Sequence, residues 1–364
     1  MKIILYIGHH KVGSTALQTY LMRNWLRLAK AGILYPSVET RGFAVTLKRA
    51  LDGQDAEAAG ANVREPHSAL AYRMIADVSQ RKIPPQFKAL PTTGQMIRTL
   101  RQQAQLLAPD TLVLCSEAFV NFGQVDPGLV DRLQGIFPKA NWIIYCALRR
   151  PDDYMISWHG QRLKVGEKLE ALQNGGTQEY PGGIHFDYRM AVQPWAERMP
   201  QARLILRDYS DILTAGGSEA DFARQTGLVL PEGMVPAPRA NPSLPRAAFE
   251  IVRRANHALG PRKANALNRW LLTAEHGLQP ARNSEVEMYG AKLRKDLAKQ
   301  FTPIHGYLNR LAGRDAFFFD IAEMEVPRPR PEREAAAELL AQLDPQALPD
   351  ETLQCFAADL KRTF

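Results

Sequence analysis

The sequence predicts an α/β protein, a parallel sheet flanked by helices with a helical C-terminal extension. Three observations carry this. Short apolar runs alternate with helical patterns through the first half of the chain, as parallel strands joined by crossover helices require. The first run passes through a glycine-bounded loop straight into a helix. Beyond residue 245 the patterns are helical.

Taken in order, Ile3-Ile4-Leu5-Tyr6-Ile7 marks a strand over 2–7, and 8–14 is a loop. A helix over 15–30 follows, with Leu17, Tyr20, Leu21, Trp25 and Leu28 as its apolar face and Gly32 as its stop. A short strand is read at 33–35. Residues 40–108 are poor in strand signals and read as a helical insertion able to overhang a site. Strand 111–115, helix 126–136, strand 142–148 and helix 152–165 come next. A glycine-rich loop fills 166–186, then helix 187–198 and strand 203–207. Ser218 and Asp221 form a capping pair for a helix over 218–226, closed by Gly227. The proline-rich stretch 231–245 is a boundary, followed by helices at 245–259, 262–276 and 284–300. Pro327-Arg328-Pro329-Arg330-Pro331 reads as a stiff linker before short helices at 332–343 and 350–362. The expected organisation is an α/β core over 1–230, a helical part over 231–326 completing the same domain, and a tail over 327–364.

With 364 residues, 45% of them hydrophobic, the chain can bury a full core. Cys115, Cys146 and Cys355 are widely spaced and form no metal-ligand pattern. The first two fall in predicted strands and read as core residues. A low, odd cysteine count suits a reducing compartment. The N-terminal residues show no signal-peptide pattern, and there is no apolar run of ~20 residues to span a bilayer. The expectation is a cytoplasmic protein without a membrane partner. The formal net charge is +8, and residues 239–314 alone hold 14 Lys+Arg against 5 Asp+Glu. No nucleic-acid-binding motif accompanies this charge, so no nucleic-acid partner is expected. A field that draws in anionic ligands is the more economical use, with the remaining cations on solvated helix faces.

Gly8-His9-His10-Lys11-Val12-Gly13-Ser14-Thr15 has the strand–loop–helix layout of a phosphate-binding loop. Its spacing nearly matches the P-loop of ATPases and GTPases. Ser14 stands where their lysine would be, and Lys11 lies two residues before Gly13. An ATPase needs that lysine on the β/γ-phosphates and a Ser/Thr on Mg²⁺, so a lysine displaced into the loop suggests a different transfer. A second motif follows the strand Asn141–Leu148. Arg149 ends it, Pro151 and Asp152 suit the first turn of a helix, and Ser157 lies eight positions after Arg149.

Together these motifs resemble those of the sulfotransferases that use PAPS (3′-phosphoadenosine 5′-phosphosulfate), in particular bacterial members with a P-loop-like fold. Lys11-Val12-Gly13-Ser14-Thr15 is similar to the family's 5′-phosphosulfate loop, with Val12 in place of a usual Thr or Ser. Arg149 and Ser157 match the family's 3′-phosphate pair. Ser116-Glu117-Ala118-Phe119, Leu163-Lys164-x-Gly166, Arg207-Asp208-Tyr209 and Arg239-x-Asn241-x-Ser243-Leu244 are weaker matches, and the resemblance covers roughly residues 1–260. The aromatic usual after the loop is replaced by Ala16 and Leu17. The resemblance implies sulfuryl transfer from PAPS to a hydroxyl or amine of a small-molecule or glycan acceptor, with no metal required. Lys11 would neutralise the transferring group, helped by loop N–H groups of Gly13 to Thr15. Glu117 takes the topological place of the family's catalytic base, with Glu39 and His10 as rivals. Tyr209 would contact adenine or ribose, and Arg239, Asn241 and Ser243 would close over the 3′-phosphate. A P-loop small-molecule kinase and a non-catalytic nucleotide-binding module remain as alternatives. The sequence does not address oligomeric state.

Overall fold

The computed structural model describes residues 1–53, 59–238, 243–273 and 276–364. The structure is α/β, built on a five-stranded, wholly parallel sheet. Two compact units divide the chain. The first takes residues 1–150, 187–240 and 306–317, and the second takes 151–186, 241–305 and 318–364.

In the first unit β1 (Lys2–Gly8), β2 (Ile33–Leu34), β3 (Thr111–Cys115), β4 (Asn141–Leu148) and β5 (Arg203–Asp208) lie in the order β2-β3-β1-β4-β5. Each forms at an apolar run read from the sequence. Register pairs Tyr6 with Cys115 on one side and with Tyr145 on the other. Side chains alternate across the sheet, so Ile4, Tyr6, Val113, Cys115, Tyr145 and Ala147 share one face. Leu17 and Leu21 of helix Ser14–Arg23 and Phe222 of helix Ser218–Thr226 close that face. Ile3, Leu5, Ile7, Leu112, Leu114 and Ile144 are fully buried on the other. Both faces are therefore covered, as a parallel sheet demands. From β1 the chain turns toward β2, and from β4 it turns the opposite way toward β5. The carboxyl ends of β1 and β4 thus flank the switch point where open parallel sheets bind ligands.

Several sequence expectations are corrected. The helix expected over 15–30 breaks at Asn24 into Ser14–Arg23 and Trp25–Lys30. The Asn24 side-chain amide donates to the Val235 carbonyl and accepts from the Val235 N–H, at 2.8 and 2.7 Å, and this clamp draws Asn24 out of helical geometry. Ser218 and Asp221 are not a capping pair. Gly217 is the N-cap, and buried Asp221 is instead committed to Arg207 and Tyr145.

The second unit is mainly helical, with Pro151–Lys164, Phe249–Ala258, Pro261–Leu271, Glu332–Gln342 and Glu351–Thr363 as its main elements. The helix expected over 284–300 is Ala291–Ala312, which runs on into residues of the first unit. Its start is delayed because Glu287 accepts from the backbone N–H groups of Tyr289, Gly290 and Arg328 and from Arg294 Nε. Those bonds hold 286–290 in a non-helical turn. The supposed linker also carries structure, since Arg330–Pro331 pairs in parallel with Val286–Glu287.

Candidate functional site

The loop after β1 is held by its neighbours on both sides. His9 N–H continues the β1–β4 ladder to the Ala147 carbonyl at 3.0 Å. A Cβ at Gly8 would lie 2.8 Å from that same oxygen, so only glycine permits the approach. Gly13 has φ 86, and a Cβ there would collide with Ser218 Oγ. Lys11 also lies in the left-handed region, with φ 62. A non-glycine residue pays roughly 1–2 kcal/mol for that conformation, a cost concentrated at functional backbone. Helix Ser14–Arg23 starts directly behind Gly13 with no side-chain cap on its first N–H groups. Val12 is wholly buried in the core, which explains how an apolar residue can occupy this loop position. Ser14 is buried and Thr15 is exposed.

The loop is braced from behind by Tyr188. Its ring meets the edge of buried His9 at 4.2 Å, and its hydroxyl donates to the Arg149 carbonyl at 2.7 Å. His9 is thus a packing residue. The Arg149 guanidinium lies 5.4 Å from the ring centre of Tyr209, which opens the helix Tyr209–Thr214 immediately after β5. The ends of β1, β4 and β5 therefore supply a glycine loop, an arginine and an aromatic. Arg207 plays another part: it makes two bonds, at 3.0 and 2.8 Å, to fully buried Asp221. Tyr145 Oη adds a third bond to that carboxylate at 2.6 Å. Burial works against the Asp221 charge, but the Arg207 and Tyr145 bonds outweigh it and hold its pKa below the ordinary value.

Glu117 follows β3, the strand beside β1. Gln18 Nε2 donates to its Oε2 at 2.9 Å, and His10 Nδ1 stands 3.6 Å from its Oε1. Burial pushes the His10 pKa down, Glu117 opposes that, and Lys11 adds to it. His10 is thereby biased toward its neutral form. Gln18 was not anticipated, although a glutamine between Leu17 and Leu21 on an otherwise apolar helix face is the signal that marks it. It is buried, and Ser68 Oγ, 3.4 Å from its Oε1, joins it to Ser116 Oγ, a further 2.8 Å away. The neighbouring His67 Nδ1 accepts from the Cys115 N–H at 3.1 Å, and burial lowers its pKa to about 3. Helix Pro66–Val78 is thereby fastened to the end of β3.

Other candidates lie elsewhere. Glu39 starts helix Thr40–Leu51, where its side chain packs against Gly42. Ser157 lies in the second unit, half-buried on the helix that begins just after Arg150. Arg239 and Asn241 fall outside the described residues, whereas Ser243 is exposed. Much of the basic excess of 239–314 is committed to ion pairs, including Arg246–Asp153, Arg253–Glu250, Lys263–Asp350 and Arg294–Glu287. A cavity of about 510 Å³ does lie in the first unit, but at the far end of helix Ser14–Arg23 from the loop. Its cations, Arg23, Arg27, Lys30 and Arg49, occupy the last turns of their helices, where they complement carbonyl ends. Burial pushes the Cys115 and Cys146 thiols up, so both are inert core groups. Among the described residues no cluster of His, Cys, Asp and Glu is suited to a metal ion, and no helix is long and apolar enough to cross a membrane.

No family model matches the chain, and no solved structure matches it. An uncharacterized protein of Archaeoglobus fulgidus is 30% identical over 149 residues. The match covers 41% of this chain and 39% of that relative, so the chain spans about two-fifths of the relative's length.

Proposed function

We propose that the protein is a PAPS-dependent sulfotransferase of the P-loop-like fold, acting on a hydroxyl acceptor. The observation that carries this reading is one juxtaposition in the first unit. A strained loop bearing Lys11 and an accessible carboxylate, Glu117, stand at the ends of adjacent strands, bridged by His10 3.6 Å from Glu117. Phosphoryl transfer by a P-loop enzyme calls for a lysine directly after the second glycine, and Ser14 is there instead.

In this reading the amides of Gly13 to Thr15 and the helix N-terminus bind the 5′-phosphosulfate. The acceptor oxygen attacks sulfur in line. An O–S bond forms, the bond from sulfur to the bridging phosphate oxygen breaks, and the acceptor proton passes to Glu117. Lys11 neutralises the charge that grows on the leaving oxygen. Gln18 orients Glu117 by donating to one oxygen, leaving the other for the proton. Arg149 takes the 3′-phosphate and Tyr209 lies beside the nucleoside.

The test is transfer of labelled sulfate from PAPS to a panel of sugars, phenols, sterols and polysaccharides, with wild type and Lys11→Ala. Product that forms with wild type, depends on Lys11 and persists in EDTA supports the reading. Binding of Mg²⁺–ATP in preference to PAP (3′-phosphoadenosine 5′-phosphate) favours a kinase instead.

A further inference from the structure

Glu117 closes a ring of hydrogen bonds that starts beside it in the chain. Ser116 is the N-cap of the short helical turn Glu117–Asn121, and its Oγ accepts from the Ala118 N–H at 3.0 Å. Ser116 Oγ lies 2.8 Å from Ser68 Oγ, which lies 3.4 Å from Gln18 Oε1. Gln18 Nε2 in turn lies 2.9 Å from Glu117 Oε2. The ring joins the helix behind the glycine loop, helix Pro66–Val78 and the end of β3. Gln18, Ser68 and Ser116 are 2%, 1% and 0% exposed, so these bonds are shielded from bulk solvent.

The chemistry of the members gives every bond one direction. An ionised carboxylate only accepts, so Gln18 must turn its amide hydrogens toward Glu117 and its carbonyl oxygen toward Ser68. That oxygen also only accepts, so Ser68 must donate to it and accept from Ser116. Ser116 accepts from Ala118 and keeps its own hydrogen to give. The reverse order fails. With a donating carboxylic acid at Oε2 and the amide turned round, Ser68 would donate to Ser116, whose own hydrogen would then have no acceptor among the described residues. A buried donor left without an acceptor is costly. Bonds that run one way also polarise one another, and this run ends on Glu117 Oε2. Oε1 is left to receive a proton, on the side where His10 Nδ1 stands 3.6 Å away. The step from Ser68 to Gln18 is the longest in the ring, and it alone sets which end of the amide faces Glu117.

We propose that Ser68 is a positioning residue for the transfer: by donating to the Gln18 carbonyl oxygen it locks the amide that holds Glu117, and so directs the acceptor proton to Oε1. This rests on the sulfotransferase reading, with Glu117 as the base. Ser68 acts through Gln18 and not on the reacting atoms.

The experiment is a cycle of Ser68→Ala, Gln18→Met and the double variant, assayed with labelled PAPS and whichever acceptor of the panel is active. Ser68→Ala should lower kcat about three- to tenfold, the worth of one hydrogen bond, with KM for PAPS and PAP affinity unchanged. Made on top of Gln18→Met, it should change kcat by less than about twofold, because the residue it acts through is gone. An unchanged kcat in Ser68→Ala, or the same fold loss in both backgrounds, overturns the proposal. A second readout needs no turnover: proton–nitrogen NMR of protein labelled at its glutamine side chains, the Gln18 pair being identified by its loss in Gln18→Met. Wild type should show two well-separated Gln18 amide protons, since one is bonded to a carboxylate, and Ser68→Ala should bring them together or broaden them. A Gln18 pair identical in the two proteins overturns the proposal. If wild type transfers no sulfate, the sulfotransferase reading fails alone, and this spectrum decides whether Ser68 holds Gln18 and Glu117 in place. Should Ser68→Ala fail to fold, Ser68→Cys, which keeps a side chain of similar size with a weak donor, takes its place with the same outcomes.

Discussion

Gln18 donates its side-chain amide to Glu117 at 2.9 Å, from a helix that begins at the glycine loop to a carboxylate just past the end of the adjacent strand. The pair ties the helix behind the glycine loop to the candidate base. Glu117→Gln keeps the size and removes the basicity. Turnover should fall by about 10²–10⁴, the range for a positioned base, while PAP affinity changes little. Single-turnover kinetics beside calorimetry checks both. A larger loss from Glu39→Gln or His10→Ala would move the base elsewhere.

Lys11 occupies a left-handed conformation that glycine adopts freely. Lys11→Gly removes roughly 1–2 kcal/mol of steric cost, which the greater freedom of the unfolded glycine offsets by about 0.4–1 kcal/mol. The variant should melt within a few degrees of wild type, or slightly above it, yet lose sulfuryl transfer. A large drop in melting temperature would show that Lys11 is needed for the fold rather than for the anion.

Asp221 is fully buried and accepts from Arg207 and Tyr145. Asp221→Asn leaves the Arg207 charge without its partner and should destabilise the protein by about 3–5 kcal/mol in urea unfolding at pH 7. The Asp221 pKa is lower folded than unfolded, so this contribution is present above the ordinary carboxylate value and is lost as pH falls through the folded one. The gap between wild type and variant should close in strong acid. A gap that stays constant with pH would contradict the assignment.

Glu332, in the second unit, is buried and faces Glu250 and Arg253. Its Oε2 has no hydrogen-bond partner among the described residues. Burial and then Glu250 raise its pKa to about 8, against the lowering effect of Arg253. A raised carboxyl pKa gives stability that is complete below the unfolded value and lost as pH rises through the folded one. Glu332→Gln should therefore match wild type near pH 4.5 and exceed it above pH 8 by on the order of 2–4 kcal/mol. Thermal melts across this range check it, and a benefit independent of pH would count against the cause given.

The strands and the glycine loop were legible because their signals are local: an apolar run, a glycine on each side of the loop, a helix pattern behind it. The breaks were not, because their causes are distant. Asn24 leaves its helix for a residue 211 positions away. Glu287 delays a helix partly by binding the backbone of Arg328, 41 positions on. Asp221 resembles a capping residue by spacing and is claimed by Arg207 and Tyr145 through packing. At the site, Lys11, Glu117 and His10 were legible by type and order. Gln18 and Ser68 were not, since a segment read only as a helical insertion brings Ser68 there.

The measurement that bears most directly on the central claim is calorimetry of PAP against AMP in EDTA, on wild type, Arg149→Ala and Arg150→Ala. Kinases and GTPases have no use for a phosphate on the 3′-carbon of ribose, whereas a PAPS enzyme must recognise it. An arginine at the end of β4 offers it charge-assisted hydrogen bonds. PAP should bind more tightly than AMP by at least about 1.5–3 kcal/mol, and the preference should shrink in Arg149→Ala more than in Arg150→Ala. Equal affinity of wild type for PAP and AMP would contradict the account.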